Sequence, residues 1–323
     1  MNSGSVNQNQ PILLGSGTDG IGRFNMHGGV LASRFTIGAG AGGAGFVYQD
    51  GGTVDGKAGY LDIGNTGASG RYTLEGTGTL ENMFQLRIGR GGSSAEFIQR
   101  GGTVTNVGTF GIDVGSAGPG LFVHSGGTFE AYSGATGRTF AIGGQGTLQI
   151  EGGAGSMRAG TLTVADGGIF RVKPGVEDSI SGNRLTPFVV GTTVTLTGNP
   201  LFDIEFLSNP EVDDLIYVID KTSAGPIGGF FMYDDPALGE LVSLTTGTYT
   251  APGVGANVTF ETFWDGSNYN GGNGNDLVLK IISVQSSGNG GGNGGGNGGE
   301  GAVPEPAALS LIGIALLAVR RRK

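Results

Sequence analysis

The side chains with chemical capacity in this sequence are few and scattered. Arg87, Arg100 and Asp113 carry charges that a β-rich flank could present together. Acid–base work on a glycosidic bond needs two carboxyl groups at a fixed separation. No compact signature of that kind surrounds these three, which read as solvated charges on a face. His27 and His124 stand before glycine turns, one and two residues ahead. They are too far apart in the chain to form an obvious metal pair and read as loop or rung positions. Gly38-Ala39-Gly40-Ala41-Gly42-Gly43 has glycines at loose phosphate-loop spacing, but neither a lysine nor a helix follows, which removes that chemistry. There is no cysteine, so disulfides, thiol catalysis and zinc–thiolate sites are excluded. The densest chemistry lies at the end. Val303-Pro304-Glu305-Pro306 leads into an uncharged run, Ala307 to Val319, whose apolar side chains include Leu309, Leu311, Ile312, Ile314, Leu316 and Leu317. Arg320, Arg321, Arg322 and Lys323 follow. From Val303 to Val319 is seventeen residues, the lower edge for crossing about 30 Å of hydrocarbon. The run is predicted to be helical, because a lone segment in lipid has no other way to satisfy its backbone. The basic cluster would stay on the cytoplasmic side.

What must position the scattered residues is a repeat. Gln49-Asp50-Gly51-Gly52-Thr53-Val54 returns as Leu74-Glu75-Gly76-Thr77-Gly78-Thr79-Leu80, as Gln99-Arg100-Gly101-Gly102-Thr103-Val104 and as His124-Ser125-Gly126-Gly127-Thr128-Phe129. The first glycines stand 25 residues apart, with weaker copies at Gly28 and Gly152. A second marker keeps pace at Phe35-Thr36-Ile37-Gly38, Leu61-Asp62-Ile63-Gly64, Leu86-Arg87-Ile88-Gly89 and Phe140-Ala141-Ile142-Gly143. A fixed period in this range points to a solenoid, a propeller or a tandem array, and a propeller blade needs about 40 residues. Leu86-Arg87-Ile88 alternates apolar and polar, as a half-buried strand does, and glycine turns separate such pieces. The expected fold is therefore all-β: a β-solenoid of about 25-residue coils with a β-rich C-terminal cap, then a flexible linker and a single C-terminal apolar helix. About six coils stacked at about 4.8 Å would span about 29 Å. The inner ladders expected from the spacing are Ile37, Ile63, Ile88 and Phe46, Tyr72, Phe97, Phe122. A β-sandwich with regularly spaced hairpins is the alternative, but it does not require equal spacing.

Seventy glycines with only 11 prolines exclude collagen, which needs abundant proline and a glycine at every third position. A net charge of −9 argues against nucleic acid as a partner. Texture divides the chain into a loose start at 1–10, the repeat region at 11–175, a β-rich cap at 176–284, a Gly/Asn linker at 285–302 and the tail at 303–323. The cap has less glycine and longer apolar strands. It either continues the solenoid with wider coils or folds as a small sandwich. Residues 1–10 have no basic start and no apolar run, so they are not a secretory signal peptide.

Three resemblances follow. The tail, a Pro-Glu-Pro motif followed by an apolar helix and an arginine-rich end, closely resembles the PEP-CTERM sorting signal. That resemblance implies export, transient anchoring in the inner membrane and processing by an exosortase-type enzyme near Pro304-Glu305-Pro306. Because such tails accompany signal peptides, the true start is expected upstream of Met1. Val212 to Asp220, Gly228-Gly229-Phe230 and Tyr269 to Leu279 look like the ends of bacterial autotransporter-associated β-strand repeat proteins. This implies a surface or secreted β-helical protein with no common enzymatic activity. Gly271-Gly272-Asn273-Gly274-Asn275-Asp276-Leu277-Val278-Leu279 is similar to the nonapeptide of RTX proteins, in which loop carbonyls and the aspartate bind Ca²⁺ in stacked turns. Stacking needs tandem copies and there is one here, so Asp276 is the sole metal candidate and turn chemistry is the expected role.

The function expected is that of an exported, non-enzymatic structural or adhesive protein, without a cofactor, bound for the cell envelope, surface or extracellular matrix. Extracellular polysaccharide is its candidate partner. The alternative is a polysaccharide-acting β-helix enzyme, a lyase or hydrolase. It would be favoured by acidic and basic side chains gathered in one groove across adjacent coils.

Overall fold

The computed structural model describes residues 1–91, 94–133, 136–152, 155–175, 185, 187–264 and 276–286. Two units divide the chain, Met1–Gly288 and Asn289–Lys323. The linker beyond Ser286 and the expected apolar helix lie outside the described residues. Among the described residues there is no helix, and none long and apolar enough to cross a membrane.

The first unit is a β-solenoid whose coils lay one short strand on each of three faces. The first face stacks residues 21–26, 44–49, 69–74, 95–99, 120–124, 146–150, 169–172 and 201–204 in parallel. On the second are 5–7, 30–32, 53–55, 79–81, 103–104, 128–131, 156–159, 188–190 and 219–221. The third carries 12–14, 35–37, 61–63, 86–88, 112–114, 139–142, 161–164 and 193–196. Ser69 lies beside Ala44, and Ala95 beside Gly70, so register advances by the 25 residues of the sequence period. Beyond Pro174 the parallel ladders continue, but the coil widens: Phe202 lies beside Phe170. The stack then ends in antiparallel pairing. Leu215–Lys221 pairs with Leu277–Ser286, which pairs with Ala256–Phe263, and that with Gly247–Gly253. These strands cover an edge that would otherwise present unpaired N–H and C=O groups.

Glycine is needed where neighbouring coils come closest. The second glycine of the beat turns with positive φ at Gly52, Gly102 and Gly127. A Cβ there would lie 2.6, 2.4 and 2.4 Å from the carbonyl oxygens of Gly29, Gly78 and Gly102 in the preceding coil. The turn therefore demands both a left-handed backbone and a missing side chain, and only glycine supplies both.

Alternation along each strand buries every second side chain. On the third face Ile37, Ile63, Ile88, Val114, Ile142 and Val164 form one buried ladder, as the spacing predicts for its first three members. On the first face Tyr72, Phe97 and Phe122 stack with ring centroids 5.5 and 5.0 Å apart. The expected fourth member, Phe46, is not in that ladder. It pairs with Arg71, so Val47 takes the inner place beside Tyr72. Phe46 faces outward under the Arg23 guanidinium, 4.7 Å from its ring centroid. The spacing from Phe46 to Tyr72 is 26, not 25, and one residue reverses the face of a strand.

Truncating Phe97 leaves a cavity between two rings, so Phe97→Ala should cost about 3–5 kcal/mol. Phe46→Ala removes only a cation–π cover and should cost about 1 kcal/mol or less. Urea midpoints of the two variants measure the difference. Equal costs would mean that the inward and outward assignments are wrong.

Candidate functional site

Inside the first face runs a ladder that is partly polar: Met26, Gln49, Leu74, Gln99, His124 and Ile150 occupy equivalent rungs. Gln49, Gln99 and His124 are buried. Each glutamine serves the turn that follows it. Gln49 Nε2 donates to the carbonyls of Gly52 and Thr79, both at 3.0 Å, and Gln99 Nε2 donates to Thr128 O at 2.9 Å. His124 is the variant of this position, with Nδ1 3.3 Å from Gln99 Oε1 and no partner for Nε2 among the described residues. Burial lowers its pKa to about 4. His27 sits elsewhere, on the outside, with Nδ1 2.8 Å from Asp50 Oδ1.

The structure brings together two of the three charged candidates. Arg87 and Asp113 are neighbours on the third face, with Asp62 on the other side of Arg87. The Arg87 guanidinium grips Asp62 through Nε and through Nη2 at 2.7 Å, and it covers the Tyr60 ring at 3.7 Å. Asp113 accepts a hydrogen bond from the Ser116 hydroxyl at 2.7 Å. Arg100 belongs to another edge and pairs with Glu75 at 2.9 Å. Ion pairs joining successive coils recur at Arg71–Glu96 and Arg171–Asp203. These charges neutralise one another between rungs, an arrangement that holds coils together.

Sequence reasoning missed the corner between the second and third faces. Lys57, Ala58, Asn82 and Asn106 all adopt left-handed φ there, between 49° and 55°. Asparagine tolerates that region better than most residues, yet each such position still stores about 1–3 kcal/mol. The corner encloses a groove of about 500 Å³ lined by Asp55, Lys57, Asn82, Met83, Phe84, Asn106 and Arg138. Asn106 Nδ2 donates to Asn82 Oδ1. Beside the groove Tyr60, Phe84 and Phe110 form an outward row of rings in edge-to-face contact, with centroids 5.3 and 4.8 Å apart. Phe110 is 57% exposed. The signal was present as Asn82 and Asn106, one coil apart, but the glycine beat draws attention to a different corner.

Asp276 is buried, and its Oδ1 accepts the Lys221 backbone N–H at 2.9 Å. Burial raises its pKa, with the Lys221 hydrogen bond acting in the opposite direction. Lys221 Nζ donates to the carbonyls of Ser223, Ala224 and Gly225. The carboxylate thus fastens one strand end to another. The remaining loop residues of the nonapeptide, 271–275, lie outside the described residues. Among the described residues no three His, Cys, Asp or Glu side chains gather where they could hold a metal ion.

Two outcomes follow. An unfolded chain protonates His124 near its ordinary value of 6.5, whereas the folded chain resists until about pH 4. Stability from this residue is therefore complete above pH 6.5 and falls as the pH drops towards 4, by about 2 kcal/mol at pH 5. His124→Gln restores the amide of the Gln99 rung and should remove that part of the pH 7 to pH 5 difference in urea midpoint. An unchanged difference would refute the assignment. Excess chelator should leave the melting temperature of the full chain unchanged, and a large drop would restore Asp276 as a calcium ligand.

The tail's own residues, Val303 to Lys323, lie outside the described residues, and the comparison that bears on function falls there. Residues 302–323 match the family model for the PEP-CTERM protein-sorting motif. No curated protein and no solved structure matches the chain. The chain is thus similar in residues 302–323 to proteins that carry this sorting signal, and the signal marks an exported protein.

Proposed function

We propose that this chain is a non-enzymatic structural or adhesive protein of the cell surface or extracellular matrix. The run 307–319 holds it transiently in the inner membrane, Arg320 to Lys323 keep its end on the cytoplasmic side, and an exosortase-type enzyme cuts near Pro304-Glu305-Pro306. The observation that carries this reading is the sorting-motif match at residues 302–323, which follows a glycine-rich linker and a rigid solenoid. A run of thirteen uncharged residues, several of them alanine or glycine, inserts less firmly than a leucine-rich 20-mer. That suits a temporary anchor. The solenoid supports the adhesive role physically, because stacked coils give an extended flank on which side chains repeat at a constant rise. Extracellular polysaccharide is the partner this flank best fits.

Mass spectrometry of the protein from its own host tests the processing step. The mature chain should end near Pro304–Pro306. A chain from the cell surface that still ends in Arg321-Arg322-Lys323 would remove the processing step. Recovery of that intact chain from the cytosol alone would remove export as well.

A further inference from the structure

Basic residues on this solenoid are mostly tied to carboxylates, as at Arg71, Arg87, Arg100, Arg158 and Arg171. Three that have no ion pair among the described residues share one corner. Arg34 lies against Gly59, where a Cβ would come within 2.2 Å of its side chain. Lys57 Nζ meets only neutral acceptors, Asn7 Oδ1 and Gln8 O. Arg138 lines the groove with a buried Nε that has no hydrogen-bond partner among the described residues. In chain order these cations bracket the amide pair Asn82–Asn106 and the edge-to-face row of Tyr60, Phe84 and Phe110.

We infer that this corner is a binding site for an extended acidic polysaccharide, a polymer of sugars bearing carboxylates, lying along the stack of coils. The inference rests on the reading of the solenoid flank as the adhesive surface. A sugar presents a C–H face and a rim of hydroxyls, and the corner offers a match for each. Phe110, 57% exposed, supplies ring surface whose negative quadrupole density attracts weakly positive C–H groups. The Asn106-to-Asn82 hydrogen bond leaves an amide N–H on Asn82 and an amide oxygen on Asn106. That is a donor beside an acceptor, the pairing a hydroxyl requires. The ring spacing of 5.3 and 4.8 Å follows the rise of the coils, so the row of edge-to-face rings runs along the stack, the direction an extended chain would take. The cations decide the charge class. The groove holds Lys57 and Arg138 against Asp55 alone, in a chain whose net charge is −9. A guanidinium matches a carboxylate with two parallel N–H donors. Left-handed backbone at Lys57, Asn82 and Asn106 supports the same conclusion, because strain of this kind persists where surrounding structure holds it and concentrates at ligand clamps.

Calorimetric titration of the purified full-length chain with polygalacturonate and with alginate tests the inference, with hydroxyethylcellulose as the neutral probe. At least one acidic polymer should bind despite the protein's own negative charge, and hydroxyethylcellulose should bind more weakly. Phe110→Ala should weaken binding about fivefold, and Arg138→Gln about threefold with a flatter salt dependence. Melting temperatures confirm that each variant is folded. If Arg138→Gln does not fold, Arg34→Gln reports the same charge effect. The inference fails if neither acidic polymer binds, if hydroxyethylcellulose binds equally well, or if Phe110→Ala has no effect while salt abolishes binding. None of these outcomes depends on export or processing, because the protein is purified before the assay.

Discussion

Every coil of this protein answers to one demand: the hydrogen bonds of a parallel ladder run to the next coil, not along the same one. Gly64 N donates to Ile37 O, Gly89 N to Ile63 O and Gly115 N to Ile88 O, at 2.9 Å or less. A residue has no freedom to drift, because its partner lies one coil away and that partner's partner one coil beyond. Spacing between coils is then set by backbone chemistry, at about 4.8 Å. Side chains must fit that spacing or be absent. Inside the stack, phenylalanine and isoleucine fit. At the tight turns nothing fits, and the chain uses glycine. The high glycine content is a consequence of backbone approaching backbone, and so is the low proline content, since a ladder needs every N–H.

Much of this was legible because a period survives in the sequence as a count. The Ile37, Ile63, Ile88 ladder was readable, as were the glycine turns and the all-β class. Phe46 was misread for an instructive reason. A count of 25 locates a coil, but inward or outward depends on parity, and Phe46 stands 26 residues before Tyr72, so Val47 holds the inward place. The corner groove was obscured for another reason. Its asparagines hold a backbone conformation that composition associates with glycine, so no turn signal marked them. The end of the solenoid could not be read at all from spacing. Coils widen past Pro174, and the antiparallel strands that close the stack follow no period.

Polarity inside the stack shows how far such a ladder tolerates departure. Gln49 and Gln99 occupy rungs that Leu74 and Ile150 fill elsewhere, and they do so without loss because their amides meet turn carbonyls. His124 keeps the hydrogen bond to Gln99 on one ring nitrogen, and the other meets no partner among the described residues. A buried polar group with half its partners is the costlier case. The outer rungs solve the complementary problem. Asp62 and Arg87 desolvate each other partly, and the guanidinium also covers Tyr60, so charge and packing are satisfied by one side chain.

Because each coil touches only its two neighbours, the natural unit of change in this chain is a whole turn of the stack. A duplicated or lost stretch of one period in the gene would leave every remaining rung with a partner of the same kind. The inner ladders would lengthen or shorten by one side chain, the closing strands would be carried along unchanged, and the reading frame of inward and outward positions would be preserved. A gain or loss of a single residue within a strand would turn the rest of that strand inside out. Inheritance can therefore adjust the reach of such a molecule in steps, as links are added to a chain, while its cross-section stays the same. The ringed corner would be adjusted in the same steps, since its left-handed asparagines and outward rings lie one coil apart.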